Sequence, residues 1–97
     1  MRVIAKTALR NFWASHPDAE QPLRAWHCEA KKAAWKTPAD VKAKYRSASV
    51  LKGGRVVFDM GGNKYRLVVK INYPFQIVYI RFVGTHREYD RINAEAI

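Results

Sequence analysis

The chain is short of cysteine, of acidic residues and of long apolar runs, and each shortage removes a class of protein. Cys28 is the only cysteine in 97 residues, so no disulfide can close within the chain. Its neighbour His27 is adjacent in sequence, whereas paired metal ligands are usually separated by two or more residues, and a free thiol in a reducing cytoplasm is the plain reading. No apolar run approaches the roughly 18 residues of a membrane span. The opening Met1-Arg2-Val3-Ile4-Ala5-Lys6 is too short and polar for a secretory signal. A soluble cytoplasmic protein with no membrane partner is therefore expected. Also missing are a Gly-rich phosphate loop ahead of a helix, a His-Glu-x-x-His or paired-cysteine metal motif, and a nucleophile elbow. No metal or small-molecule cofactor is expected. There is no internal repeat, low-complexity tract or linker.

What remains is apolar and basic. Hydrophobic residues make up 48% of the chain and aromatics 12%, enough for the core of one domain spanning residues 1–97. Asp and Glu number 8 against 18 Lys and Arg, a net charge of +10. That imbalance points to a polyanionic partner, nucleic acid before any acidic surface.

Periodicity divides the chain into a helical front and a strand-rich back. Arg2 to Ala5 is a candidate strand. Ala5, Leu9, Phe12 and Trp13 share one helical face, and after His16-Pro17-Asp18 a second helix follows with Leu23, Trp26, Ala30 and Ala33 at helical spacing. Thr37-Pro38-Ala39-Asp40 reads as an N-cap, a proline at the first helical position and an acid at the third, opening a short helix to about Tyr45. Val56–Asp59, Lys64–Ile71 and Gln76–Val83 are β-branched and aromatic runs separated by turn residues, the pattern of an antiparallel meander. Thr85-His86-Arg87-Glu88 is a second capping box, starting a helix expected to run through Tyr89, Asp90 and Ile92. The fold class is α+β.

Splitting the strands by parity places Val56, Phe58, Tyr65, Leu67, Val69, Ile71, Val78, Ile80 and Phe82 toward the helices. The other parity holds Arg55, Asp59, Lys64, Arg66, Lys70, Tyr79 and Arg81. A cationic face carrying an aromatic ring suits single-stranded RNA, whose phosphates need positive charge and whose bases stack. His86, Tyr89 and Asp90 stand at i, i+3 and i+4, so their side chains should meet on one side of the last helix. Cleavage of RNA by its own 2′-hydroxyl needs a base, an acid and a stabiliser of the phosphorane charge, all of which His, Tyr and Arg can supply. His16 and His27 lack such surroundings and read as structural.

The segment Gly61-Gly62-Asn63-Lys64-Tyr65-Arg66-Leu67, followed by Tyr79 to Asp90, resembles the toxin of HigB-type type II toxin-antitoxin systems, within the RelE-like group of mRNA interferases. The likeness extends over essentially the whole chain. It implies a RelE-like fold, with the first strand and a helical hairpin packed on an antiparallel sheet and a short C-terminal helix. It also implies a ribosome-dependent endoribonuclease that cleaves mRNA on the ribosome and is neutralised by a cognate HigA-type helix-turn-helix antitoxin. On this resemblance Arg66 and Arg81 stabilise the phosphorane, His86 is general base or acid, and Tyr89 assists proton transfer or orients the phosphate. Asp90 either orients His86 or only caps its helix. Lys52, Arg55, Asn63, Lys64, Tyr79 and Arg87 are the expected RNA contacts.

Two other readings use the same residues. A noncatalytic RNA- or ribosome-binding module would exploit the basic face alone. A toxin of the same fold acting on DNA gyrase, as related ParE-type proteins do, would not call for the proton-transfer pair at His86 and Tyr89.

Overall fold

A computed structural model of the chain describes all of residues 1–97. Strand β1 (Arg2–Ile4) leads into helix α1 (Lys6–Ser15), a 3-10 turn (Pro17–Ala19) and helix α2 (Glu20–Lys32). α1 buries Leu9 and Trp13, four residues apart, and α2 buries Leu23, Trp26 and Ala30, so each helix turns one apolar stripe inward. Ala5 falls outside that stripe: it is the extended N-cap residue of α1 and is exposed. The last carbonyls of α2, which have no partner inside the helix, are taken up by the amino group of Met1, which donates to Ala30 O, Lys31 O and Ala33 O at 3.2, 3.0 and 2.7 Å. Helix α3 (Pro38–Lys44) starts at the expected capping box, with Thr37 and Asp40 bonding each other's backbone.

The back half forms β2 (Ser49–Val50), β3 (Arg55–Met60), β4 (Tyr65–Asn72) and β5 (Ile77–Thr85), followed by α4 (His86–Tyr89). β3, β4 and β5 are the expected meander. The sheet is larger than that meander, with five strands in the order β1-β5-β4-β3-β2. β1 pairs parallel with β5, so the first strand lies beside the last, and the two helices cross back over one face between them. That face holds the main core, in which Val56, Phe58, Leu67, Val69 and Val78 meet Leu9, Leu23 and Trp26. Phe58 is its centre, its ring centroid 5.5 Å from Trp26, 5.1 Å from Tyr45 and 6.5 Å from Trp35.

Strict parity fails in β5. Val68 is opposite Phe82 but Val69 is opposite Ile80, so Arg81 is the extra residue of a β-bulge. The bulge shifts every later side chain to the other face. Phe82, expected in the core, instead joins a second apolar cluster with Val57, Val68 and Ala94 on the face away from the helices. Tyr89, Ile92 and Ile97 pack on this cluster, so the C-terminal segment covers the middle of a face that the parity reading left open and cationic. α4 is also shorter than expected, ending at Tyr89, and Asp90 to Ile92 continue only as turn and bend.

On the helical side, burial first, and then the charges of Lys6, Lys31 and Arg10, hold the His27 imidazole below its ordinary value of 6.5. The unfolded chain therefore takes up a proton at this residue before the folded one does. The resulting stability is complete above the unfolded value and is lost as pH falls through the lower folded value. Thermal melts from about pH 7.5 to 5 should show Tm falling toward acid in the wild type, with a shallower fall in His27→Gln. Equal slopes in the two proteins would refute this assignment.

Candidate active site on the outer sheet face

The strand register lays three rows across the outer face of β3, β4 and β5. The lowest is Arg55, Lys70 and Tyr79; the middle is Val57, Val68 and Phe82; the uppermost is Asp59, Arg66 and Gly84. The apolar middle row, with the C-terminal segment on it, separates two polar groups.

The upper group is built by the β3–β4 turn and by α4. Gly61, Gly62 and Asn63 all have φ between 60° and 79°, a left-handed run that two glycines and an asparagine can hold. The turn directs the Asn63 carbonyl at Arg66, whose Nη1 donates to Asn63 O at 3.1 Å and to Tyr65 O at 3.3 Å. Arg66 Nε lies 3.1 Å from Asp59 Oδ1, and the guanidinium sits 6.0 Å from the Tyr89 ring. Arg66 is thus a buried cation, 8% exposed, with its surroundings fixed. Gly84 beside it has no room for a side chain, because a Cβ there would collide with the Phe82 ring.

α4 is joined to the same corner through its backbone, His86 N donating to Lys64 O at 3.1 Å. Its start is held by the expected capping box: Glu88 N donates to Thr85 Oγ1 at 3.1 Å and Thr85 N to Glu88 Oε1 at 2.8 Å. The Thr85 backbone N–H foremost, and then the Thr85 side chain, pull the Glu88 carboxyl below its ordinary range. His86 Nδ1 lies 3.2 Å from Asp90 Oδ2, and both side chains are more than half exposed. A proton on Nδ1 would donate to this carboxylate and leave Nε2 as the acceptor nitrogen of the ring. Tyr89 turns the other way, onto the sheet and toward Arg66. The helical spacing therefore brings His86 and Asp90 together as expected but puts Tyr89 on a different side of the turn.

The remaining expected site residues are distributed elsewhere. Lys64 is a turn residue ahead of β4, so strand alternation does not govern it, and its ammonium reaches Asp18 on the helical side at 3.1 Å rather than the outer face. The Tyr65 hydroxyl also donates to Asp18. Together these two bonds, Tyr65 foremost, lower the Asp18 carboxyl. Asn63 and Arg87 are exposed near the upper group. Arg81 is exposed in the bulge, while Arg66 stands opposite Gly84 further along β5, and the Arg81 guanidinium is 5.7 Å from the Tyr79 ring. The four residues from Arg81 to Thr85 span about 13 Å of strand. Arg55 and Lys52 are at the far end of β3, where Arg55 Nε donates to Ile97 O at 2.7 Å.

Parity reasoning missed the Val57–Val68 patch and the pairing of Asp59 with Arg66. The signal for the first was present: Val56-Val57-Phe58 and Leu67-Val68-Val69 are continuous apolar stretches, the mark of strands covered on both faces. No three His, Cys, Asp or Glu side chains gather in a way that could hold a metal ion. No helix is long and apolar enough to cross a membrane.

The sequence model of the HigB toxin family, described as a RelE-like toxic component of a toxin-antitoxin system, matches residues 19–92. Over 96 residues the chain is 33% identical to the mRNA interferase toxin HigB of Escherichia coli (strain K12), covering 97% of this chain and 92% of that protein. The same figures hold for the mRNA interferase HigB of Shigella flexneri. The mRNA interferase HigB of Escherichia coli O6:H1 is 22% identical over 94 residues, covering 95% of this chain and 91% of its own length.

Proposed function

The chain belongs to the HigB family of RelE-like toxins, the toxic half of a toxin-antitoxin system, and from that premise we propose that it is an mRNA interferase that cleaves messages during translation with His86 and Arg66 at the scissile phosphate. The observation that carries this assignment is the corner where the His86–Asp90 pair and the Arg66 guanidinium are anchored to one short turn, through Lys64 O and Asn63 O.

The chemistry needs no group beyond these side chains and the RNA. A base removes the 2′-hydroxyl proton, and the 2′-oxygen attacks the adjacent phosphorus. The P–O5′ bond breaks, and an acid protonates the departing 5′-oxygen. His86 Nε2 is suited to the proton transfer because Asp90 fixes the ring from its other nitrogen. Arg66 opposes the charge of the phosphorane, and its fixed surroundings mean that little reorganisation is required as that charge grows. Tyr89 orients Arg66 through its ring. The lower row of Arg55, Lys70 and Tyr79, with Arg81 in the bulge beside it, serves the flanking RNA: Tyr79 offers a stacking surface and Arg81 a phosphate contact. Lys52 and Arg87 add charge at the two ends.

Membership of a toxin-antitoxin family implies an antitoxin partner. We infer further that this partner is a HigA-type helix-turn-helix protein, that the message is cut on the ribosome, and that the site of action is the cytoplasm.

The test is induced expression followed by mapping of 5′-ends on cellular messages, with and without an inhibitor of translation initiation. Attack by the 2′-hydroxyl leaves 5′-hydroxyl ends, which become ligatable only after phosphorylation. New ends of that kind, dependent on translation, are the expected result. Ends independent of translation would remove the ribosome from the proposal, and growth arrest with intact messages would leave only a noncatalytic binder.

A further inference from the structure

The uppermost row of the outer face carries the one acid that the register places among its cations, Asp59, directly opposite Arg66. A carboxylate there opposes RNA binding, since it subtracts from the positive field that attracts phosphate. Its position relative to Arg66 gives it a different use. A guanidinium presents five N–H donors in a fixed plane. In Arg66, Nε faces Asp59 Oδ1 at 3.1 Å, and Nη1 is shared between Asn63 O at 3.1 Å and Tyr65 O at 3.3 Å. Nη2 makes no bond within the protein, yet it is not among the buried polar atoms without a partner, so it reaches solvent. Nη1 is held by hydrogen bonds, Nε stands in an ion pair with the Asp59 carboxylate that is not a hydrogen bond, and Nη2 is presented. The carboxylate is the more accessible member of the pair, its side chain 31% exposed against 10% for Arg66.

We propose that Asp59 is a positioning residue that acts through Arg66, holding the guanidinium so that Nη2 points at the phosphate undergoing cleavage, at the expense of some ground-state affinity for RNA. This rests on the reading of Arg66 given above. A donor fixed in advance favours the transition state more than the ground state, because it need not reorient as charge builds on the phosphorane. A negative charge on the face weakens both states alike. Loss of the Asp59 carboxylate should therefore move rate and binding in opposite directions.

The test uses programmed ribosomes carrying a labelled message, with the first-order cleavage rate at saturating protein and the protein concentration at half that rate as readouts. Asp59→Asn, nearly isosteric and uncharged, is expected to lower the saturating rate about tenfold or more while half-saturation occurs at equal or lower protein concentration. Asp59→Glu should recover part of the rate. Asp59→Asn added to Arg66→Ala should lower the rate no further than Arg66→Ala alone. Thermal melts of each variant keep the comparison to temperatures at which all are folded.

An unchanged saturating rate in Asp59→Asn, whatever happens to binding, would overturn the proposal and leave a purely structural or electrostatic pair. Additive losses in the double variant would overturn it as well, since Asp59 would then act independently of Arg66. If Arg66→Ala cleaves as fast as the wild type, both this proposal and the reading of Arg66 fail. If Arg66→Ala is impaired while Asp59→Asn is not, only the positioning role fails.

Discussion

Replacing His86 by Ala is expected to lower the first-order cleavage rate about 100- to 10,000-fold, the usual contribution of a positioned acid-base group, with little change in protein stability. The side chain is 53% exposed and its one partner is Asp90 on the same turn, so its loss opens no cavity. RNA attraction rests on the Lys and Arg side chains, leaving the half-saturating protein concentration near that of the wild type. Asp90→Asn should lower the rate less, because an amide can still accept from Nδ1 but no longer stabilises the imidazolium. The measurement is single-turnover cleavage of a message on programmed ribosomes, with 5′-ends mapped at each time point. A His86→Ala protein that cuts at the wild-type rate would remove α4 from the chemistry. The outer face would then contribute no more than the proposed RNA contacts of its lower row.

Phe58→Ala is expected to destabilise the protein by about 3–5 kcal/mol, the range for truncating a buried aromatic. The ring is 1% exposed and lies among Trp26, Trp35 and Tyr45, which come from three different parts of the helical half. Its loss leaves a cavity where α2, the segment before α3, and the end of α3 all meet the sheet. Domains of this size are stable by only about 5–15 kcal/mol, and each kcal/mol shifts the midpoint by roughly 4–8 °C. Tm should therefore fall by more than about 10 °C, with a matching drop in the urea midpoint. Tyr45 should report the loosening locally. Burial, together with its bond to Glu29 Oε1 at 2.7 Å, holds its hydroxyl well above the ordinary value of 10.0, and both depend on this packing. A loss below about 1 kcal/mol, in the range of a substitution away from the core, would mean that the helices are fastened to the sheet elsewhere.

Most of the segments that become helices and strands, β2 apart, could be read from the residues alone, because those choices depend on local spacing. Leu9 with Trp13, Leu23 with Trp26 and Ala30, and the capping boxes at Thr37 and Thr85 are contained within a few residues, and each is found where the pattern placed it. The likeness of the Gly61–Leu67 and Tyr79–Asp90 segments to HigB toxins was legible in the same way, and so was the i, i+4 pairing of His86 with Asp90. Which side chains share a site was settled by the folded chain. The bulge at Arg81 is set by how β4 and β5 register across a turn; it sends Phe82 to the outer face and leaves Arg81 beside Tyr79, away from Arg66. Lys64 turns to Asp18 because the helical hairpin brings that acid to the edge of the sheet, a contact between residues 46 positions apart. The pairing of Asp59 with Arg66 likewise needs two strands to be aligned. Spacing along the chain fixes a neighbour within a turn of helix or across a strand, but contacts between distant segments follow from the packing of the whole core.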